Sequence, residues 1–353
     1  MSSRRPWMVG TDPAGQGGIA AVISVYLQQG WMARHGVRYL VSHRAGSALA
    51  RALLFPWALL QLLAALLAGR VSVLHAQVAS YGSFARKSLL LALARGFGVP
   101  TVFHLHGAEF QKFYAGSPAW RQRWIRHSLR RSTRVLALSE AWRDFLLTIV
   151  PEARVSVLAN PVAFPPPQPE ARSVPGRVLF LGRADQRKGI FDLLAALGQA
   201  RAQLPHLHLH VGGDGDLDAV RAAVAREGLD DAVTLLGWVR GTAKERELAE
   251  AEIFVLPSYD EGLPMAMLEA MARGKAVLTT PVGGIPQAVR DGVDGVLVPP
   301  GQPQQLAAAL LRLGRDARLR AALGAGAVAR VRTCYATDTV LAELDHVYQG
   351  LGA

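Results

Sequence analysis

Carboxylates are scarce in the first half of this chain. Residues 1–165 hold 19 Lys and Arg against 5 Asp and Glu, a balance of +14, whereas the remainder holds 20 against 22, a balance of −2. A coding bias toward arginine would enrich both halves, and the basic counts are indeed similar; the asymmetry comes from missing acid. A surface of this kind suits anionic lipid or a phosphate-bearing partner. Nucleic acid competes for that role, but no recognised nucleic-acid module accompanies the charge, so nucleic acid is not expected. Cysteine is nearly absent too. Cys334 stands alone, which excludes an internal disulfide and leaves a reducing compartment as the default. The opening Met-Ser-Ser-Arg-Arg-Pro-Trp has positive charge but no apolar run behind it, so a secretory signal is not expected. Aromatics make up only 7% and half of the 353 residues are hydrophobic, as in an Ala/Leu-rich α/β protein large enough for two cores.

Short apolar runs alternate with helical patterns throughout. In the first half the expected strands are residues 7–10, 37–42, 71–76, 101–106, 135–139 and 155–159; in the second they are 177–181, 207–211, 233–236, 253–257, 276–279 and 295–298. Strands separated by helix-length stretches imply βαβ units and parallel sheets. A proline-rich segment, Phe164-Pro-Pro-Pro-Gln-Pro-Glu-Ala-Arg-Ser-Val-Pro-Gly176, interrupts the series and reads as an extended linker. The expected organisation is a first domain over 1–165, a linker over 166–176, a second domain over 177–336 and a final helix over 337–353.

Ala52–Gly69 carries no charge for 18 residues and is bracketed by Arg51 and Arg70. That length is the lower limit for crossing a bilayer. Three readings stand: a helix that covers the sheet and touches a membrane surface, an ordinary core helix, or a span. The strand expected immediately afterwards disfavours the span.

Chemistry concentrates in Tyr259-Asp-Glu-Gly-Leu-Pro-Met-Ala-Met-Leu-Glu-Ala-Met-Ala272. Pro264 suits the first position of a helix, Gly262 and Leu263 form the turn before it, and Glu269 falls in its second turn. At 1.5 Å rise per residue, Glu261 and Glu269 lie roughly 12 Å or less apart. Between them is a helix N-terminus, which favours anions. Carboxylate, anion site, carboxylate matches a ligand with hydroxyls at both ends and phosphate in the middle. A capping and dipole role is the alternative for such a pair. The preceding apolar strand puts the motif at a strand's carboxyl end, where open α/β sheets bind ligands. Arg183 and Lys188 follow another strand, within Gly182-Arg-Ala-Asp-Gln-Arg-Lys-Gly189; two cations there can neutralise a diphosphate, though a solvated basic turn is the plain alternative. Gly15-x-Gly17-x-x-Ala20 satisfies a dinucleotide fingerprint on its face. The second strand ends in Ser42-His43-Arg44 without the usual acid, so Arg44 keeps an NADP-dependent oxidoreductase in view. His104 and His106, with His75, raise the possibility of a metal, but no further ligand is evident.

These elements together resemble the retaining glycosyltransferases of the large two-domain family 4, over nearly the whole chain. Glu261 and Glu269 match its Glu-x7-Glu element, Gly182–Gly189 its Gly-Arg-x4-Lys-Gly element, Gly15-Gln-Gly17-Gly18 its glycine-rich first loop, and His106 the histidine near the end of an amino-domain strand. Thr280-Pro-Val-Gly-Gly-Ile-Pro286 and Asp291-Gly-Val-Asp-Gly295 also read like the family. The resemblance implies the GT-B fold: two Rossmann-like parallel-sheet domains facing a cleft, with the last helix, about 337–351, crossing back onto the first domain. It implies transfer of a hexose from a nucleotide-diphosphate sugar to a glycan or lipid-linked acceptor in surface-polysaccharide synthesis, at the cytoplasmic face of the membrane. His106, Arg183, Lys188 and Glu261 would be catalytic. Gly17, Gly18, Gly212, Asp214, Val239, Gly262, Leu263, Pro264 and Glu269 would hold the donor. Asp214-Gly-Asp216 and Asp216-Leu-Asp218 fall in a base-side loop and not at a metal site, so no metal and no cofactor beyond the donor is expected. A non-hydrolysing sugar-nucleotide epimerase and a silent nucleotide-sugar-binding subunit remain the rival readings.

Overall fold

The computed structural model describes residues 4–165 and 173–352, and only the backbone of residues 48–52. Residues 166–172 of the expected linker, and the Arg51 side chain that brackets the uncharged stretch, lie outside what is described. The chain forms two compact units. One runs to Pro161 and takes in the chain from Thr337 onward; the other is Val162–Ala336.

The first unit contains β1 (Arg5–Thr11), α1 (Gly18–Gln28), α2 (Trp31–Arg34), β2 (Arg38–His43), α3 (Ala48–Leu67), β3 (Val71–Val78), α4 (Gly82–Gly96), β4 (Thr101–Leu105), α5 (Phe110–Ala115), α6 (Ala119–Arg131), β5 (Arg134–Ala137), α7 (Glu140–Ile149) and β6 (Val155–Val157). Its sheet is parallel, in the order β2-β1-β3-β4-β5-β6. β3 and β4 are almost wholly buried, which is why they read as continuous apolar runs. Helix α3 buries Ala58, Leu62, Ala65 and Leu66 but exposes Leu53, Trp57, Leu60 and Leu67. It is therefore a core-covering helix with a second, outward apolar face. Among the described residues no helix is long and apolar enough to cross a membrane.

The second unit contains β7 (Arg177–Leu181), a 3-10 turn at Gln186–Lys188, α8 (Ile190–Arg201), β8 (His208–Gly212), α9 (Leu217–Arg226), β9 (Val233–Gly237), α10 (Gly241–Glu250), β10 (Ile253–Leu256), α11 (Met265–Ala272), β11 (Ala276–Thr279), α12 (Ile285–Ala288), β12 (Val296–Leu297), α13 (Pro303–Arg315) and α14 (Ala317–Cys334). Its parallel order is β12-β11-β10-β7-β8-β9. The end of the expected linker is pinned to this unit: Val174 N–H donates to the Glu250 carbonyl at 2.8 Å and Gly176 N–H to Glu252 Oε2 at 2.8 Å.

All the expected strands form, within two residues at either end. The last helix, α15 (Thr337–Gln349), belongs to the first unit. Trp31 Nε1 donates to Asp345 Oδ1 at 2.6 Å and the buried Tyr348 packs edge-on against Trp31. Two Rossmann-like sheets with the last helix returned to the first of them make up the GT-B fold.

Candidate active site

The second sheet changes direction between β7 and β10, since the chain runs outward from β7 through β8 to β9 and from β10 through β11 to β12. Ligands of open α/β sheets bind at such a switch point, beyond the strands' carboxyl ends. The loops leaving β7 and β10 carry Lys188 and Glu261. Lys188 Nζ donates to Glu261 Oε1 at 2.5 Å, and Ser258 Oγ donates to the same oxygen at 2.7 Å. Glu261 is only 5% exposed, so its carboxylate needs such partners.

Local backbone chemistry fixes the pair. Asp185 Oδ1 accepts from Lys188 N–H at 3.0 Å and closes the 3-10 turn. Gly189 follows with φ 72°, and a Cβ there would lie 2.0 Å from the Pro257 carbonyl oxygen. Gly283 serves the other side: its φ is 57°, and a Cβ would lie 1.8 Å from the Glu261 carbonyl oxygen. Gly284 N–H donates to the Gly262 carbonyl at 2.7 Å. The run Thr280–Pro286 is thus the clamp on the Glu261-Gly262-Leu263 turn.

Pro264 is the N-cap of α11, with φ −72° and ψ 121°, and not its first helical residue as the sequence suggested. Extended ψ at this position is what lets the chain enter the helix from the turn. No side chain caps the α11 N-terminus. Glu269 lies in α11, where Lys244 Nζ of α10 donates to its Oε1 at 2.6 Å, while its buried Oε2 has no hydrogen-bond partner. A buried carboxylate oxygen left open in this way suits a hydroxyl-bearing ligand.

The expected pairing of Arg183 with Lys188 is looser than the motif implies. Arg183 is 59% exposed, with Nε 3.2 Å from Asp185 Oδ2, whereas Lys188 is held by Glu261. Gly212 ends β8, beside Val239: a Cβ on Gly212 would meet Val239 Cγ2 at 2.8 Å. Asp214 contributes its carbonyl, which accepts from Ala184 N–H at 2.6 Å, and Asp216 Oδ1 caps α9 through Ala219 N–H at 3.0 Å.

In the first unit, Gly17 is the N-cap of α1 with φ 106°, and Gly18 opens the helix; neither meets an obstacle within 4 Å. Arg44 is engaged by Asp12, Nε to Oδ2 at 2.5 Å, so this guanidinium is already paired in the loop where an NADP phosphate was considered. His106 follows β4 directly. Its Nε2 lies 2.5 Å from Gln77 Oε1, Gln77 Nε2 lies 3.2 Å from His75 Nε2, and His75 Nδ1 lies 3.0 Å from the Tyr348 hydroxyl. An amide oxygen only accepts, so His106 carries its proton on Nε2 and keeps Nδ1 as the acceptor. Burial, and then the charge of Lys87, lowers the His106 pKa to about 3. Burial, and then His106, lowers that of His75 to about 3. Burial thus favours the neutral form of both rings in the folded protein.

The two halves match different family models: "Glycosyltransferase Family 4" over residues 23–164 and "Glycosyl transferases group 1" over residues 175–316. This chain is a GT-B-fold relative of the glycosyltransferases. It is 33% identical over 192 residues to the amylovoran biosynthesis glycosyltransferase AmsK of Erwinia amylovora, covering 51% of this chain and 47% of that protein. It is 30% identical over 207 residues to the GDP-mannose:cellobiosyl-diphosphopolyprenol alpha-mannosyltransferase of Xanthomonas oryzae pv. oryzae, covering 57% of this chain and 54% of the other. The alignment with AmsK thus spans about half the length of that relative. Anabaena HepE, solved with UDP and glucose, superimposes with a TM-score of 0.79 at 18% identity, covering 98% of this chain and 100% of that one.

The histidines do not assemble a metal centre: among the described residues no three of His, Cys, Asp and Glu are grouped to hold an ion. Sequence reasoning missed Ser258, Lys244, Gln77 and Tyr348. Only Gln77 carried a local signal, since it lies two positions beyond His75 on one face of a strand that runs longer than expected.

Proposed function

We propose that this protein is a retaining glycosyltransferase that moves a hexose from a nucleotide-diphosphate sugar to a lipid-linked glycan acceptor during polysaccharide synthesis. The observation that carries the reading is the Lys188–Glu261 pair at the switch point beside the uncapped N-terminus of α11, with the open oxygen of Glu269 on the same helix. In this reading the nucleotide's ribose hydroxyls meet Glu269, the diphosphate lies against Arg183, Lys188 and the α11 N-terminus, and Glu261 orients the sugar. As the bond from C1 to the phosphate oxygen breaks, a bond from C1 to the acceptor oxygen forms on the same face. The acceptor's proton passes to the departing phosphate oxygen. Preorganised cations stabilise the charge that grows there. Glu261 is engaged by Lys188 and Ser258, so it acts as a positioning carboxylate and not as a nucleophile. Arg183, Lys188 and the helix terminus stand where a metal would otherwise be needed. His106 offers its Nδ1 to a sugar or acceptor hydroxyl.

The acceptor assignment draws on the Xanthomonas relative, a cellobiosyl-diphosphopolyprenol mannosyltransferase, and on the exposed Leu53, Trp57, Leu60 and Leu67 of α3. Together with the acid-poor first half, they support a reading in which the protein works at the inner face of a membrane and is held there reversibly. A thermal-shift panel of nucleoside diphosphates and their sugars identifies the donor. Incubation of that donor with and without a lipid-linked acceptor then separates transfer from epimerisation, because only an epimerase turns over donor alone. Flotation with anionic vesicles at low and high salt tests the membrane claim. A protein that stays in the soluble fraction at low salt has a soluble acceptor instead.

A further inference from the structure

A second feature of the first unit has no part in donor binding. Between the first turns of α4 and α6 lies a cavity of about 340 Å³ lined by Tyr81, Phe84, Phe113, Trp120, Arg121 and Trp124, among others. Its volume falls in the range of about 300–1,000 Å³ common to small-molecule sites. Tyr81 and Phe113 pack with ring centroids 4.9 Å apart, Phe84 and Trp124 at 5.1 Å, and the Arg121 guanidinium lies 4.9 Å from the centre of the Trp120 ring.

Three observations point to a ligand. First, Tyr81 has φ 53° and ψ −125°, the one positive φ outside glycine among the described residues; strain of this kind persists where a site requires it. It holds an aromatic ring, more than half exposed, at the cavity. Second, the cavity favours an anion at its polar end. The N-termini of α4 and α6 both reach it, and neither has a side-chain cap. Arg121 lines it. No carboxylate lines the cavity, and Glu109 is the only acid between Asp12 and Glu140. Third, it adjoins the His106 loop. His106 N–H donates to the Val78 carbonyl at 2.7 Å, and a Cβ on Gly107 would lie 2.9 Å from Ser80 N, in the segment that leads to Tyr81.

A sugar would need several donors and acceptors, and beyond the Tyr81 hydroxyl the lining's polar side-chain groups, the Arg121 guanidinium and the indole N–H groups of Trp120 and Trp124, only donate. An apolar chain ending in a phosphate fits both ends. We infer that this cavity seats the lipid-phosphate end of the acceptor, with the apolar chain among Tyr81, Phe113 and Trp124 and the phosphate against Arg121 and the α4 and α6 N-termini. The assignment of the ligand as an acceptor rests on the glycosyltransferase reading. Helix α3, which exposes Leu53, Trp57, Leu60 and Leu67, packs on α4, and α4 packs on α6.

Farnesyl phosphate and dodecyl phosphate, titrated below their aggregation limits with tryptophan fluorescence as the readout, test the site. At least one should bind saturably at one per chain, ten times tighter or more than farnesol or glucose 1-phosphate. Arg121→Glu, at a half-buried position, and Trp120→Ala, at an exposed one, should each weaken binding by at least fivefold, and Ala85→Trp, at another residue of the lining, should abolish it by filling the cavity. Binding unchanged in these variants, or glucose 1-phosphate binding as tightly as the lipid phosphates, overturns the site. Nucleoside diphosphate binding is measured on the same preparations. Its absence from the wild type, with lipid phosphate still bound, would sink the transferase reading and leave the site standing.

Discussion

Lys188 Nζ and Glu261 Oε1 stand 2.5 Å apart although 73 residues separate them in the chain. The contact joins the two loops that flank the sheet's switch point, so it serves architecture and chemistry together. Removing the cation from a buried carboxylate is expected to destabilise by about 3–5 kcal/mol. Lys188→Met should therefore lower the urea midpoint sharply, and adding Glu261→Gln should recover at least half of the loss without restoring turnover. Arg183→Ala, at an exposed position, should change stability by less than about 0.5 kcal/mol yet reduce turnover tenfold to a hundredfold, about 1.4–2.7 kcal/mol of barrier. Turnover at the wild-type level in Arg183→Ala removes this residue from the reaction.

Glu269 and Glu261 should separate in calorimetry. Glu269→Ala removes the carboxylate with the open Oε2 and should weaken nucleoside diphosphate binding by at least tenfold. Lys244→Ala, which frees Glu269 from its partner, should weaken it less. Glu261→Gln should leave that affinity within twofold while abolishing transfer. If Glu261→Gln loses the nucleotide and Glu269→Ala keeps it, the ligand lies in the reverse direction along α11.

The histidine chain gives stability a pH dependence of known sign. His75 and His106 titrate near 6.5 when unfolded and are lowered to about 3 by burial when folded, so the unfolded chain binds more protons between those values. Their contribution is complete above pH 6.5, declines as the pH falls, and levels off near pH 3. Each ring contributes up to about 1.4 kcal/mol per pH unit within the window. Thermal unfolding should show Tm falling between pH 6.5 and 5, above the range where ordinary carboxylates protonate, with a shallower fall in His75→Gln. A flat Tm across this interval shows that the rings accept protons in the folded state.

Much of the fold was legible because its strands are short, apolar and buried on both faces, as Ile253–Leu256 and Val71–Val78 show. The glycines at 189 and 283 were legible as motif members, but their purpose was not. Each makes room for a carbonyl oxygen from a distant segment, which no local pattern encodes. Ser258 and Lys244 escaped notice for the same reason: a serine in a loop and a lysine on a polar helix look ordinary until the fold brings them to a carboxylate. The shift of Pro264 from first helical residue to N-cap was beyond sequence reach because proline's fixed φ suits both positions and only ψ distinguishes them. The cavity beside Tyr81 was hidden because its aromatic residues come from three separate helices and loops.

The return of α15 to the first unit also governs the order in which the protein can be built. Trp31 finds Asp345 across 314 residues, and His75 finds Tyr348 across 273. The amino-terminal sheet leaves the ribosome first, yet its buried histidine lacks its phenol and Trp31 its carboxylate until residues 337–349 have been synthesised. The second unit is continuous in sequence and, among the described residues, has no such late partner from the last helix. The part made first is therefore finished last, and a nascent chain exposes the surface reserved for α15 throughout synthesis of the second unit, which is when a chaperone would find it.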